Sequence, residues 1–155
     1  MTQATSFVYY GSGAERRLKQ EERTLEAPGS HDILVRIHAT AVNPVDAKVR
    51  DMEQLQGGGG LVLGYDAACV EEAVGSEVTR HAVGDEVYYA GSLTRAGSFA
   101  THQLVDGRIV GKKPKSLDFV EAAALPLTSI TAWELLFDRL EVPTDAAEHL
   151  LVIGA

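Results

Sequence analysis

From residue 6 to residue 110 the chain alternates short strand-like runs with turn signals, and that close spacing points to a small β-barrel or sandwich. Ser6-Phe7-Val8-Tyr9-Tyr10 reads as a strand ending at Gly11-Ser12-Gly13, and Thr24-Leu25-Glu26 leads to the turn signal Pro28-Gly29. Asp32 to Thr40 alternates apolar with polar residues, as a half-buried strand should. Asn43-Pro44 breaks it, and Pro44 to Arg50 starts a helix with proline in its first turn. Leu61 to Leu63, Ala67 to Ala73, Glu86 to Ala90, Ser98 to Leu104 and Arg108 to Val110 read as further strands, two of the breaks being Gly75-Ser76 and Val83-Gly84-Asp85. The four successive glycines Gly57 to Gly60 form a flexible loop, because a phosphate cradle needs a helix behind it and here a strand follows.

The pattern changes at Ser116, which reads as an N-cap to a helix carrying Ala122-Ala123-Ala124 and ended by Pro126. Thr128 to Leu140 is a second helix, with Ile130, Trp133, Leu136, Phe137 and Leu140 along one stripe. After Pro143 comes Leu150-Leu151-Val152-Ile153-Gly154-Ala155, an apolar run with the form of a buried parallel strand entering a nucleotide-binding turn.

Length and composition, 155 residues with 45% apolar and 23% charged, fit one soluble globular domain. A net charge of −8 argues against nucleic acid or an anionic membrane as a partner. The one basic cluster, Lys112, Lys113 and Lys115 around Pro114, reads as a solvated loop. Cys69 is the single cysteine, so a cysteine zinc cluster and an internal disulfide are both excluded, which fits a reducing cytoplasm. No apolar run approaches a membrane-spanning length, and Met1 to Ser6 has no leader character.

Four stretches in order resemble the medium-chain dehydrogenase/reductase superfamily, in its zinc-free quinone-oxidoreductase branch. They are Ala41-Val42-Asn43-Pro44-Val45-Asp46, Gly64-Tyr65-Asp66-Ala67-Ala68, Val74-Gly75 with Val83-Gly84-Asp85-Glu86-Val87, and Ala123 to Trp133. The resemblance implies a mainly β chain with C-terminal helices: a GroES-like, partly open β-barrel over residues 1–125, then over 126–155 the linking helix and first strand of a truncated Rossmann domain. It also implies that the zinc branch's cysteine, histidine and second cysteine are replaced by Asn43, Tyr65 and Leu127, so no zinc and no other metal is expected. The four-cysteine structural lobe of that branch is missing too.

By the same resemblance Asn43 and Tyr65 would line the catalytic site, polarising an already electron-poor quinone or enone by weak hydrogen bonding. Asn43, Thr131, Gly154 and Ala155 would touch the dinucleotide, NADPH in the parent protein, although these few contacts would not hold it on this chain alone. As residues, Asn43 before proline also suits a plain turn, Tyr65 plain packing, and Thr131 a bond back to a helix carbonyl. Asp46 and Asp66 replace family acids near the metal and are read as structural, Asp46 bonding backbone or pairing with Arg50. Two departures stand out. Cys69 replaces a usual glycine and reads as a buried thiol, and Glu71 places a charge at a normally apolar strand position.

Two functions follow. One is the catalytic part of an NADPH-dependent quinone or enone reductase, and the other a self-standing GroES-like binding module, or an inactive fragment, with no redox activity. The exposed terminal strand favours the first and predicts self-association, as a homodimer or larger assembly, through the apolar surface from Trp133 to Ile153.

Overall fold

The computed structural model describes residues 1–11, 16–51, 60–147 and 149–153. Ser12, Gly13, Gly57 to Gly59, Gly154 and Ala155, on which readings were placed above, lie outside the described residues. Among the described residues eight strands are present: β1 (Thr2–Tyr10), β2 (Arg17–Leu25), β3 (Asp32–Ala41), β4 (Leu61–Val62), β5 (Asp66–Val74), β6 (Glu86–Ala90), β7 (His102–Asp106) and β8 (Gly111–Lys112). They form two antiparallel sheets, one ordered β2-β1-β4 and the other β7-β3-β5-β6-β8. The sheets meet where Phe7 N donates to Phe99 O (2.8 Å) and Thr101 N to Thr5 O (2.9 Å), around a single bridge between Ser6 and Ala100. The result is the expected mainly β, GroES-like arrangement with open sheets.

β5 lies at the centre of the larger sheet, and Asp66 to Cys69 are buried in succession because both faces are covered. On one face Cys69 and Ala67 join Ile33, Val35, Val87, Tyr89, Val105 and Val110. On the other, Ala68 packs under the helix α2 (Phe119–Ala123) through Ala122 and Ala123. A second helix, α1 (Pro44–Asp51), presses Val49 against Leu63 and Tyr65. α3 (Pro126–Trp133) follows, and its last turn widens into a π-helical segment, Glu134–Arg139. Among the described residues no helix is long and apolar enough to cross a membrane.

Several expectations are corrected. β2 extends from Arg17 to Leu25 although only its end was legible, because its charged residues hide the strand period. Its ladder to β1 is reinforced by cross-strand bonds such as Thr5 Oγ1 to Glu22 Oε1 at 2.7 Å. Ser98 to Thr101 is not strand but the crossover between the sheets, so β7 starts at His102. Arg108 and Ile109 sit in a 3₁₀ turn capped by Asp106, whose carboxylate accepts from Arg108 N at 2.9 Å. The cap of α2 is Asp118, not Ser116. Asp118 and Glu121 exchange side-chain and backbone bonds in a capping box, which only that spacing allows. Pro126 begins α3 instead of ending α2, since proline suits the first turn.

Lys113 is buried rather than solvated. Its ammonium donates to Leu117 O (2.5 Å) and Pro114 O (3.2 Å), pairs with Glu86 (3.1 Å) and lies over the Phe119 ring. Of the stripe, Ile130, Trp133 and Leu140 are exposed, while Leu136 and Phe137 are half-buried beside Val142, Pro143 and Leu150. Leu150 to Ile153 is not a strand: no described strand pairs with it, and extended backbone without a ladder partner is not held as sheet.

Candidate active site

Asn43 leaves β3 just before Pro44, and its position is fixed from the backbone outward. Its N–H donates to Asp46 Oδ2 at 2.7 Å, while its carbonyl accepts from Asp46 N at 3.0 Å, closing the first turn of α1. The other Asp46 oxygen accepts from Gly64 N at 2.9 Å. The buried Asp46 carboxylate thus ties the start of α1 to the turn before β5. It makes backbone bonds, one of the two roles expected; Arg50 pairs instead with Asp51 at 3.1 Å.

Gly64 has φ +95°, and a Cβ there would stand 2.5 Å from the Phe99 ring and 2.6 Å from Ser98 Oγ. Only glycine fits, and the turn it makes aims the next two side chains in different directions. Tyr65 goes into the apolar group of Val49 and Leu63, ringed by Tyr9, Val45, Leu61 and Phe99. It is 2% exposed, and burial together with the charge of Asp46 pushes its phenol above its ordinary range. Asp66 turns the opposite way.

Asp66 is the hub. Fully buried, its carboxylate accepts from Asn43 Nδ2 at 2.7 Å on one oxygen and from Leu127 N at 2.8 Å on the other. Leu127 N belongs to the first turn of α3, where an anion meets unpaired donors and the positive end of the helix. Burial raises the Asp66 carboxyl above its usual range, and the bonds from Asn43 and Leu127 oppose that shift. Its backbone oxygen accepts from Thr40 Oγ1 (2.6 Å) and Ser98 Oγ (2.9 Å), fixing the start of β5.

The structure therefore brings Asn43, Asp66 and Leu127 together, and no hydrogen bond among the described residues joins Tyr65 to Asn43. Thr131 is exposed on α3 and donates to Leu127 O at 2.9 Å, the helix-interior bond open to it from the start. Gly154 and Ala155 lie outside the described residues. Asp66 as the hub was missed in sequence. The signal available was an acid beside the tyrosine, but spacing alone does not show which side of the strand it takes.

These donors do not suit zinc. Leu127 offers no side-chain ligand, and the Asn43 amide and both Asp66 oxygens are already engaged in hydrogen bonds. The Asn43 amide and the Leu127 N–H at the start of α3 are instead joined through the Asp66 carboxylate. One Asn43 N–H and its side-chain oxygen stay uncommitted among the described residues.

Residues 29–115 match the family model of the alcohol dehydrogenase GroES-like domain. A zinc-type alcohol dehydrogenase-like protein of Staphylococcus aureus (strain COL) is 45% identical over 92% of this chain and 46% of its own length. The 2-methylene-furan-3-one reductase of Solanum lycopersicum is 38% identical over 97% of this chain and 40% of its own. The Escherichia coli quinone oxidoreductase solved with NADPH superimposes with a TM-score of 0.70 at 25% identity, covering 87% of this chain and 40% of that one. The chain spans about half the length of the curated relatives it matches, or less. With more than half of its residues inside the family model, the chain belongs to the alcohol dehydrogenase GroES-like family of the medium-chain dehydrogenase/reductase superfamily.

Proposed function

We propose that the protein containing this chain is a cytoplasmic oxidoreductase that passes a hydride from NADPH to a quinone or conjugated enone with no metal at Asn43. The observation behind this reading is that Asn43 and Leu127, at two of the three ligand positions, are tied together through the Asp66 carboxylate. The names of the relatives support it, one being an enone reductase and another a quinone oxidoreductase with NADPH bound. NADPH supplies the hydride. Asp66 orients the Asn43 amide by taking one N–H, and the second N–H is the donor that steadies charge growing on the substrate oxygen. Tyr65, buried among Val49 and Leu63, backs the Gly64 turn beside the site, and Thr131 on α3 would meet the nicotinamide end of a bound dinucleotide. An electron-poor acceptor needs only such weak donors once it is positioned.

The test joins this chain to the dinucleotide-binding half of the Staphylococcus relative. The chimera should bind NADPH and reduce a quinone or an enone, and chelator treatment should leave kcat unchanged. Asn43→Ala should lower kcat by about 10- to 100-fold with NADPH affinity nearly kept. Tyr65→Phe tests the hydroxyl separately and should weaken turnover less. A chimera that folds and binds NADPH yet reduces neither class sinks the proposal and favours a binding module.

A further inference from the structure

Five residues along β5 from Asp66, the strand carries a second buried carboxylate that the site above does not use. The Glu71 side chain is fully buried, and the His81 side chain beside it is 4% exposed. His81 Nδ1 stands 2.9 Å from Glu71 Oε1, but the two are not aligned as a hydrogen bond. Neither Glu71 oxygen and neither His81 nitrogen has a hydrogen-bond partner among the described residues. Four unsatisfied buried polar atoms at one point are costly, since buried polar groups are almost always partnered.

Asp85 completes the group. One donor atom from each of Glu71, His81 and Asp85 lies within 4.8 Å of the other two. The backbone fixes this juxtaposition: Glu71 N donates to Asp85 O at 3.0 Å, and Gly84 N donates to Glu71 O at 2.8 Å. The remaining charged neighbour is Lys112, whose ammonium is 3.5 Å from Asp85 Oδ2, the oxygen that also accepts from Ala82 N at 3.2 Å. Lys112 reaches Asp85, and among the described residues it makes no hydrogen bond or ion pair with Glu71 or His81.

We propose that Glu71, His81 and Asp85 form a binding site for one divalent first-row transition ion, which pins the loop between β5 and β6 to the sheet. One imidazole and two carboxylates make a nitrogen–oxygen donor set suited to zinc, cobalt or manganese, and the two carboxylates balance the ion's charge. Ligand atoms each about 2.1 Å from a shared ion sit roughly 3.0–3.4 Å apart, close to the His81–Glu71 separation. The site departs from the expectation of no metal, which rested on the family's catalytic positions; it is separate from Asn43 and independent of the proposed reduction.

The whole chain, stripped with chelator and dialysed, is titrated with zinc chloride and with cobalt chloride. We expect one equivalent bound at micromolar affinity or better, a higher thermal midpoint, and a cobalt spectrum without thiolate charge-transfer bands. Glu71→Val with His81→Phe replaces the pair by apolar groups that keep the core filled, and should weaken binding on the order of 100-fold or more. Asp85→Asn should weaken it about 10-fold. His31→Ala and His102→Ala remove surface histidines paired with Glu77 and Glu72, and should leave binding unchanged. A folded wild-type chain that binds neither ion overturns the proposal, and so does binding that survives the double variant. If the double variant fails to fold, His81→Gln decides in its place, with unchanged affinity counting against the site.

Discussion

At the residue scale the most exacting position is Asp66, because one buried carboxylate holds two donors from distant elements. Asp66→Asn keeps one acceptor oxygen and turns an amide toward the second donor, so it should cost about 1–3 kcal/mol in a denaturant melt. Its pH dependence has a definite sign. Burial raises the folded carboxyl above its ordinary range, so the folded chain holds the proton more tightly than the unfolded one. Stability from this group is full at low pH and declines as pH rises through that range. The gap between wild type and Asp66→Asn should therefore narrow from pH 3 to pH 6, and a widening gap would refute the assignment. Cys69 gives a simpler expectation. Buried under the sheet, it donates to Tyr89 Oη at 3.8 Å, and burial pushes its thiol up to about 12. Iodoacetamide at pH 8 should leave it unmodified in the folded chain and alkylate it in denaturant. The buried Cys69 was legible in sequence, as was Asp46 bonding backbone. Asp66 as a hub was not, because Leu127 N reaches it from 61 residues away.

At the element scale, the turn before β5 decides where Tyr65 and Asp66 point, and two glycines separate its contributions. Gly64 and Gly84 have nearly the same backbone, φ +95° and +93°, but a Cβ at Gly64 would strike Phe99 and Ser98 while one at Gly84 meets open space. Gly84→Ala should cost about 1 kcal/mol, from conformation alone. Gly64→Ala adds the collision and should cost about 3 kcal/mol, read from the shift in unfolding midpoint. Equal losses would mean that the Phe99 contact carries no weight. Strands with an apolar period, such as β3 and β6, were legible at almost their true bounds. β2 was not, because Leu18 is the one apolar residue from Arg17 to Arg23, too few to show a strand period, and the segment owes its place to the β1 ladder. The stop between α2 and α3 was misplaced for a related reason: Pro126 serves equally to end one helix or begin the next, and it is the C-cap of α2 at Ala124 that shows which.

At the scale of the whole molecule, the family and its open-sheet fold were readable from four ordered motifs, three of them at turns that start or join strands and helices and the fourth along α3. The surface beyond α3 was less readable. The stripe of Trp133 and Leu140 has no described element to cover it, with Leu135 equally exposed, and Leu150 to Ile153 is open to solvent. Trp133, 59% exposed, packs against Phe137 with ring centres 4.5 Å apart. So much apolar surface within one segment is disfavoured in water, at roughly 25 cal/mol per Å² left uncovered. We propose that a second copy of the chain covers it, apolar face against apolar face, since like charges elsewhere on a chain of net charge −8 favour no other close approach. Sedimentation velocity from 1 to 100 µM should then show a dimer or larger species whose share grows with concentration. Adding salt should not dissolve it, because the contact is apolar and its charges repel. Trp133→Ser with Leu151→Lys should shift the chain to monomer with its β-sheet signature unchanged. A wild-type chain that stays monomeric across that range would show that this face needs no partner copy, and the proposed self-association would fall.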